Sequence, residues 1–114
     1  MKSLVNKPWG SYKIIDQGKN YLVKKIVVKP GGKLSLQSHN NRHEHWTVVS
    51  GIAEVELDET KFKLESNQFI YIPKESKHSL ENKYKEDLTI IEVWYGEKLS
   101  EDDIIRYEDI YGRV

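Results

Sequence analysis

The sequence predicts an all-β domain, an antiparallel sandwich or barrel, followed by a short C-terminal helical segment. Three observations carry that expectation. From about residue 10 to 95 the chain reads as short apolar or alternating runs separated by Gly, Pro, Asn and Asp turns. Seven to nine such runs at this spacing suit a sandwich or barrel. The tail differs: in "KLSEDDIIRYEDIYGRV", Ser100 is followed three residues later by Asp103, the S-x-x-[DE] form of a helix start.

Taken in order, "YKIID" opens a hairpin, Gly18-Lys19-Asn20 turns it, and "YLVKKIVVK" returns. Pro30-Gly31-Gly32 punctuates. "KLSLQSH" alternates and enters a loop holding three of the four histidines, after which "WTVVS" runs to Gly51. "IAEVELD" alternates again, "ETK" turns it into "FKLE", and "SNQ" precedes "FIYIP". "KHSLEN" follows, and "KYKED" turns into "LTIIEVWYG". One or two helical turns are expected from Ser100, with Gly112 as the stop.

Residues 1–114 are read as a single domain, since 114 residues suffice for one core. The 18 basic and 18 acidic side chains cancel, so charge gives no basis for nucleic acid or an anionic membrane as partner. The absence of cysteine excludes disulfides, zinc–thiolate sites and a Cys nucleophile, and it fits a cytoplasmic location. No apolar run approaches the roughly 20 residues of a membrane helix, and "MKSLVNKPWGSY" has no apolar signal core.

Residues two apart in a strand share a face. In "KLSLQSH", Leu34 and Leu36 share one face and Lys33, Ser35, Gln37 and His39 the other. Such a polar face meets water on an outer strand, or lines a ligand cavity in a barrel strand. Two further blocks favour the cavity. Glu44 follows His39 with four residues between them, and six more separate it from Gly51; later come Pro73, His78 and Asn82. The alternating region between them is of a length to bring the blocks side by side, supplying Gln37, His39, Glu44 and His78 to one point. These N and O donors suit a borderline divalent ion: zinc first, with Mn, Co, Ni or Fe as alternatives.

These residues resemble the cupin motifs. The first block is similar to G-(x)5-H-x-H-(x)3-4-E-(x)6-G, with Gly31 at the first Gly position, Gln37 at the first His position, then His39, Glu44 and Gly51. The second is similar to G-(x)5-P-x-G-(x)2-H-(x)3-N, with Pro73, His78 and Asn82 matching and Asn67 and Glu75 at the glycine positions. "PWGSY", "GGKLSLQSH", "EHW", "VVSG", "YIP" and "EDDIIRYEDIYGR" together resemble the type II mannose-6-phosphate isomerases, from Pro8 to Arg113. In that family the isomerase cupin usually follows a guanylyltransferase domain, and no such domain lies in this chain. Where many relatives read HHHRAEHW, this chain has His39-Asn40-Asn41-Arg42-His43-Glu44-His45-Trp46.

The resemblance implies a cupin fold (a double-stranded β-helix, or jelly-roll barrel) and a metal-dependent isomerase. It would interconvert mannose 6-phosphate and fructose 6-phosphate through an enediol(ate), a divalent metal polarising the carbonyl. Gln37, His39, Glu44 and His78 are the expected ligands. Glu92, among apolar neighbours in "LTIIEVWY", is the candidate acid/base. Lys33 and Ser35 lie on the ligand face, Arg42 at the loop mouth and Arg106 in the tail. Lys33 is read as a catalytic cation, and Ser35, Arg42, Trp46 and Arg106 as substrate contacts, the arginines for the phosphate. Trp46 and Val48 share Glu44's face as a pocket wall; Trp9 and Trp94 are expected in the core or an interface, His45 outside the pocket and His43 in solvent. "PWGSYKII" is a candidate edge strand for a homodimer. Two other functions fit the residues: a metal-binding cupin without isomerase activity, as a sugar-binding or regulatory module or a domain needing a missing guanylyltransferase half, and a small cupin acting on another sugar or as a dioxygenase. Gln37 argues against the dioxygenase, which would usually use another His.

Overall fold

The computed structural model describes residues 3–113, and their strands form two antiparallel sheets. The first contains, in spatial order, β1 (Val5–Lys7), β2 (Gly10–Gly18), β3 (Tyr21–Val28), β10 (Leu88–Tyr95), β5 (His43–Ser50) and β8 (Phe69–Ile72). The second contains β11 (Ile105–Glu108), β4 (Leu36–Ser38), β9 (His78–Glu81), β6 (Ala53–Leu57) and β7 (Thr60–Leu64). Eleven strands among the described residues exceed the seven to nine expected: β1 is too short to show periodicity of its own, and β11 lies where a helical segment was expected.

Period-two alternation explains where the core ends and the site begins. In β3, Leu22, Lys24, Ile26 and Val28 are the buried residues; in β10 they are Leu88, Ile90, Glu92 and Trp94; in β5 they are Glu44, Trp46 and Val48. The ladder pairs Ile90 with Ile26 and Val48, and two residues further along it pairs Glu92 with Lys24 and Trp46. One end of this face is therefore apolar, joined to Ala53, Val55 and Leu80 of the facing sheet. The other end buries charge. Full burial of a side chain such as Ile90 or Leu80 contributes about 1.5–3 kcal/mol, and this apolar end supports the strands on which the polar end is held.

The turn at Gly51 requires glycine: its φ is +89°, and a Cβ there would lie 2.7 Å from the Asp87 carbonyl oxygen. Asn67 and Glu75, which stand where the cupin motif has glycine, adopt the same left-handed region, with φ of 72° and 71°. The backbone shape thus persists without the glycine, at a conformational cost of about 1–2 kcal/mol for each L-residue.

The expected C-terminal helical segment does not form. Ser100 does begin a turn, its Oγ accepting the Asp102 N–H at 3.1 Å and its carbonyl the Asp103 N–H at 3.3 Å. The Asp103 carboxylate, which a capping box would send back to Ser100, instead accepts the N–H groups of Asn40 and Asn41, both at 2.9 Å. Ile105 and Arg106 then pair with Ser38 and Gln37 as strand β11. Tertiary hydrogen bonds override a local helix signal too short to nucleate alone. The "PWGSYKII" stretch mostly forms β2, which lies between β1 and β3, so the sheet edge at this side belongs to β1. No helix among the described residues is long and apolar enough to cross a membrane.

Candidate metal centre

Three elements converge on one point. His39 follows β4, Glu44 lies in β5 and His78 begins β9. Gln37 and His78 are paired partners across β4 and β9, which brings the two sequence blocks side by side. One ligand atom from each of His39, Glu44 and His78 lies within 4.8 Å of the others, and all three residues are buried.

Neighbouring atoms fix how these groups present their lone pairs. His39 Nδ1 lies 2.7 Å from the Asp103 carbonyl oxygen and His78 Nδ1 lies 3.0 Å from that of Ser76. A carbonyl only accepts, so each Nδ1 carries the proton and each Nε2 offers a lone pair. Trp46 Nε1 donates to Glu44 Oε1 at 2.8 Å and orients the carboxylate. These are the outer contacts that a histidine–carboxylate metal site uses to aim its ligands.

The protonation states agree. Burial, with Arg42 adding to it, lowers the His39 pKa to about 4 against the opposing pull of Glu44. Burial likewise lowers His78. For Glu44 burial acts upward, but Arg42, His39 and His78 outweigh it and hold the carboxyl down to about 2. At neutral pH the cluster is two neutral imidazoles and a carboxylate. The His39 Nε2–Glu44 Oε2 contact of 3.2 Å is therefore not an ion pair, because neither atom carries a proton. Two facing lone pairs need a cation between or beside them. Arg42 now supplies one, with Nε 2.7 Å from Glu44 Oε2 and an Nη 3.2 Å from His39 Nε2. The donor set fits a divalent ion of the zinc type.

The centre forms one wall of a cavity of about 340 Å³, within the range that holds small molecules. Gln37 lines this cavity, but its Nε2 donates to the Ser35 carbonyl and hydroxyl oxygens, both at 3.2 Å. Ser35 and Trp46 are buried along the same wall. Arg42, expected at the mouth, is buried with its guanidinium carbon 3.4 Å from the Trp94 ring centroid. Arg106 reaches the cavity from β11, and its Nε is buried without a hydrogen-bond partner. Glu92 lines the cavity too, accepting a hydrogen bond from Trp94 Nε1 at 2.5 Å. Burial, followed by repulsion from Glu44, pushes the Glu92 pKa up to about 8 despite Lys24.

Lys33 is not brought into this group. It forms an isolated bridge with Glu81 before β4 starts, which breaks the alternation assumed through residues 33–39. Its side chain lines other clefts, beside Glu54 and Glu56. Asn40 and Asn41 are exposed and lie outside the cavity lining, so the histidines they replace are not missing ligands. His45 is exposed, as expected, and Trp9 belongs to the core. Val48 is buried in the core behind the cavity rather than in its wall. His43 is half-buried rather than free, its Nδ1 contacting the Tyr71 hydroxyl at 2.8 Å. Lys24, Tyr12 and Glu101 also line the cavity and are not among the residues expected there; for Lys24, the even spacing with Leu22, Ile26 and Val28 is the signal that it points inward.

The outer contact to Glu44 is separable by mutation. Trp46→Phe removes the donor, and metal affinity will fall by about 10–100-fold; the smaller ring also leaves a gap at a buried position, so the variant will melt at a lower temperature. Calorimetric metal titration checks this; an unchanged affinity would mean that Glu44 is oriented without Trp46.

The family model described as "Mannose-6-phosphate isomerase C-terminal" matches residues 1–109. The alginate biosynthesis protein AlgA of Pseudomonas putida is 57% identical over 110 residues, covering 96% of this chain and 23% of that protein. The mannose-1-phosphate guanylyltransferase ManC of Salmonella typhimurium is 51% identical, with 96% and 23% covered. The chain thus spans about a quarter of these relatives' length. Among solved structures, the capsular polysaccharide assembling protein CapF of Staphylococcus aureus superposes with a TM-score of 0.81 at 22% identity, over 96% of this chain and 33% of that one, a likeness of fold.

Proposed function

From the premise that the chain belongs to the mannose-6-phosphate isomerase C-terminal family, we propose that it interconverts mannose 6-phosphate and fructose 6-phosphate with a divalent metal at His39, Glu44 and His78. The observation that carries this is one cavity holding both that buried donor set and Glu92. The two sugars differ by a carbonyl moved between C1 and C2, so a proton must leave one carbon and return to the other. A bound divalent ion would polarise the carbonyl and stabilise the developing oxyanion. Glu92 supplies the proton transfer: a pKa of about 8 lets one carboxyl accept and return a proton near neutrality. The Trp94 N–H holds that carboxyl in place. Arg106 offers an unpartnered N–H to the phosphate, whose binding supplies energy remote from the reacting carbons. Buried Leu34 and Trp46 in the wall exclude water from a reactive enediolate.

A second reading is a metal-binding module without turnover. It is favoured by Arg42, which already satisfies Glu44 and His39. Conversion of mannose 6-phosphate to fructose 6-phosphate by metal-stripped protein, reloaded in turn with Zn, Mn, Co and Ni, separates the two. Turnover that appears only on reloading supports the isomerase. Tight metal binding with no turnover supports the module.

A further inference from the structure

The cavity holds a second buried charge, across from the metal ligands. Lys24 is 4% exposed. Its Nζ lies 3.9 Å from the Tyr12 ring centroid and 4.1 Å from that of Trp94. Two aromatic faces favour an ammonium but offer it no formal counter-charge. Glu92 is its neighbour across the ladder. The direct ion pair is with Glu101, whose carboxylate oxygens lie 2.7 and 2.9 Å from Nζ.

Glu101 is an unusual partner for so buried a cation. Its side chain is 47% exposed and sits on the irregular segment between β10 and β11. Lys24 is the hydrogen-bond partner recorded for it among the described residues. The segment does not depend on that pair: the Ser100 carbonyl accepts from Arg42, and the Asp103 carbonyl and carboxylate accept from His39, Asn40 and Asn41. Glu101 can therefore swing into water while the segment stays in place. Its departure would leave a desolvated ammonium in a cavity also lined by Lys7 and Arg106, which suits a dianion with three acceptor oxygens.

We propose that Lys24 is an anion-recognition residue of the cavity and that Glu101 is its resident stand-in, displaced when the phosphate of a sugar phosphate binds. This deepens the isomerase reading and rests on it for the sugar. The contrary view is a structural latch, in which Glu101 only fastens the segment. The two differ in sign for Glu101→Gln. A stand-in competes with the incoming anion, so its removal tightens binding; a latch supports the site, so its removal does not.

The test is calorimetric titration of the metal-free chain with inorganic phosphate and with mannose 6-phosphate. Glu101→Gln will bind both about tenfold more tightly, the size of one charge-assisted contact. Lys24→Met will lose at least about that factor, and Lys24→Arg will restore most of it. Equal or weaker binding by Glu101→Gln overturns the proposal, and this half-exposed position keeps the test available if Lys24→Met does not fold. Undiminished binding by Lys24→Met also overturns it. The pattern with inorganic phosphate but not with mannose 6-phosphate would show an adventitious ion only, and overturns it too. None of these measurements needs turnover, so an inactive protein that binds as described would refute the isomerase and leave the anion site standing.

Discussion

His39→Ala and His78→Ala will each give a folded protein that no longer holds a divalent ion tightly, and turnover of mannose 6-phosphate will fall with metal content. Each removes one of three donors that converge within 4.8 Å. Loss of a contact one shell out typically lowers metal affinity by about 10–100-fold, and loss of a ligand itself should exceed that. The fold should survive, because the apolar end of the face, at Ile26, Ile90 and Val48, lies away from both histidines. His45→Ala is the control. It sits one residue from Glu44 but faces outward against Tyr71, with ring centroids 4.8 Å apart, and should change neither metal content nor rate. Calorimetric metal titration, a thermal melt and the coupled assay read the three quantities separately. Either alanine variant retaining wild-type metal affinity would sink the assignment of the centre.

Much of this centre was legible in the chain because strand chemistry is periodic. Counting in twos from Glu44 puts Trp46 on its face and His45 off it, and the structure agrees. The same count failed at Lys33, where the strand starts later than the alternation implies and the side chain turns to another cleft. It failed at the tail for a different reason. Ser100 and Asp103 carry a helix signal, but the partners that decide the outcome are Asn40 and Asn41, more than sixty residues earlier. Long-range hydrogen bonds leave no local trace. Lys24 shows a third kind of limit. Its inward position was readable from its spacing, yet a lysine in an apolar run looks like a solvated interruption until Glu92, Trp94 and Glu101 are seen around it. The two arginines divide similarly. Arg106 reaches the cavity from a strand that was expected to be helix, whereas Arg42 spends its guanidinium on Glu44, His39 and the Trp94 ring.

Glu92→Gln should make the protein more robust and less active, and the two effects together identify the residue's work. In the folded chain burial and Glu44 raise the Glu92 pKa to about 8, whereas the unfolded value is about 4.3. Between those limits the folded state keeps a proton that the unfolded state has lost. The stability tied to that proton is complete below the unfolded pKa and is lost as pH rises through the folded one. Glutamine carries no such proton and keeps an acceptor for the Trp94 N–H. Relative to wild type, the metal-free variant will therefore gain stability as pH rises from 5 to 8, by on the order of a few kcal/mol, and the gain will level off above the folded pKa. Its kcat with metal reloaded will fall by about 10²–10⁴-fold, the usual contribution of a positioned acid/base group. Metal content will stay the same, since Glu92 is not among the converging donors. Wild-type kcat should in turn rise with pH toward 8 as the carboxylate form appears. Parallel melting curves for the two proteins from pH 5 to 9 would mean that Glu92 is ionised or solvated when folded. Retained kcat with diverging melting curves would mean that the buried acid is real and that the proton is carried by another group. A residue whose amide variant is more stable but less active is held in this cavity by chemistry rather than by packing.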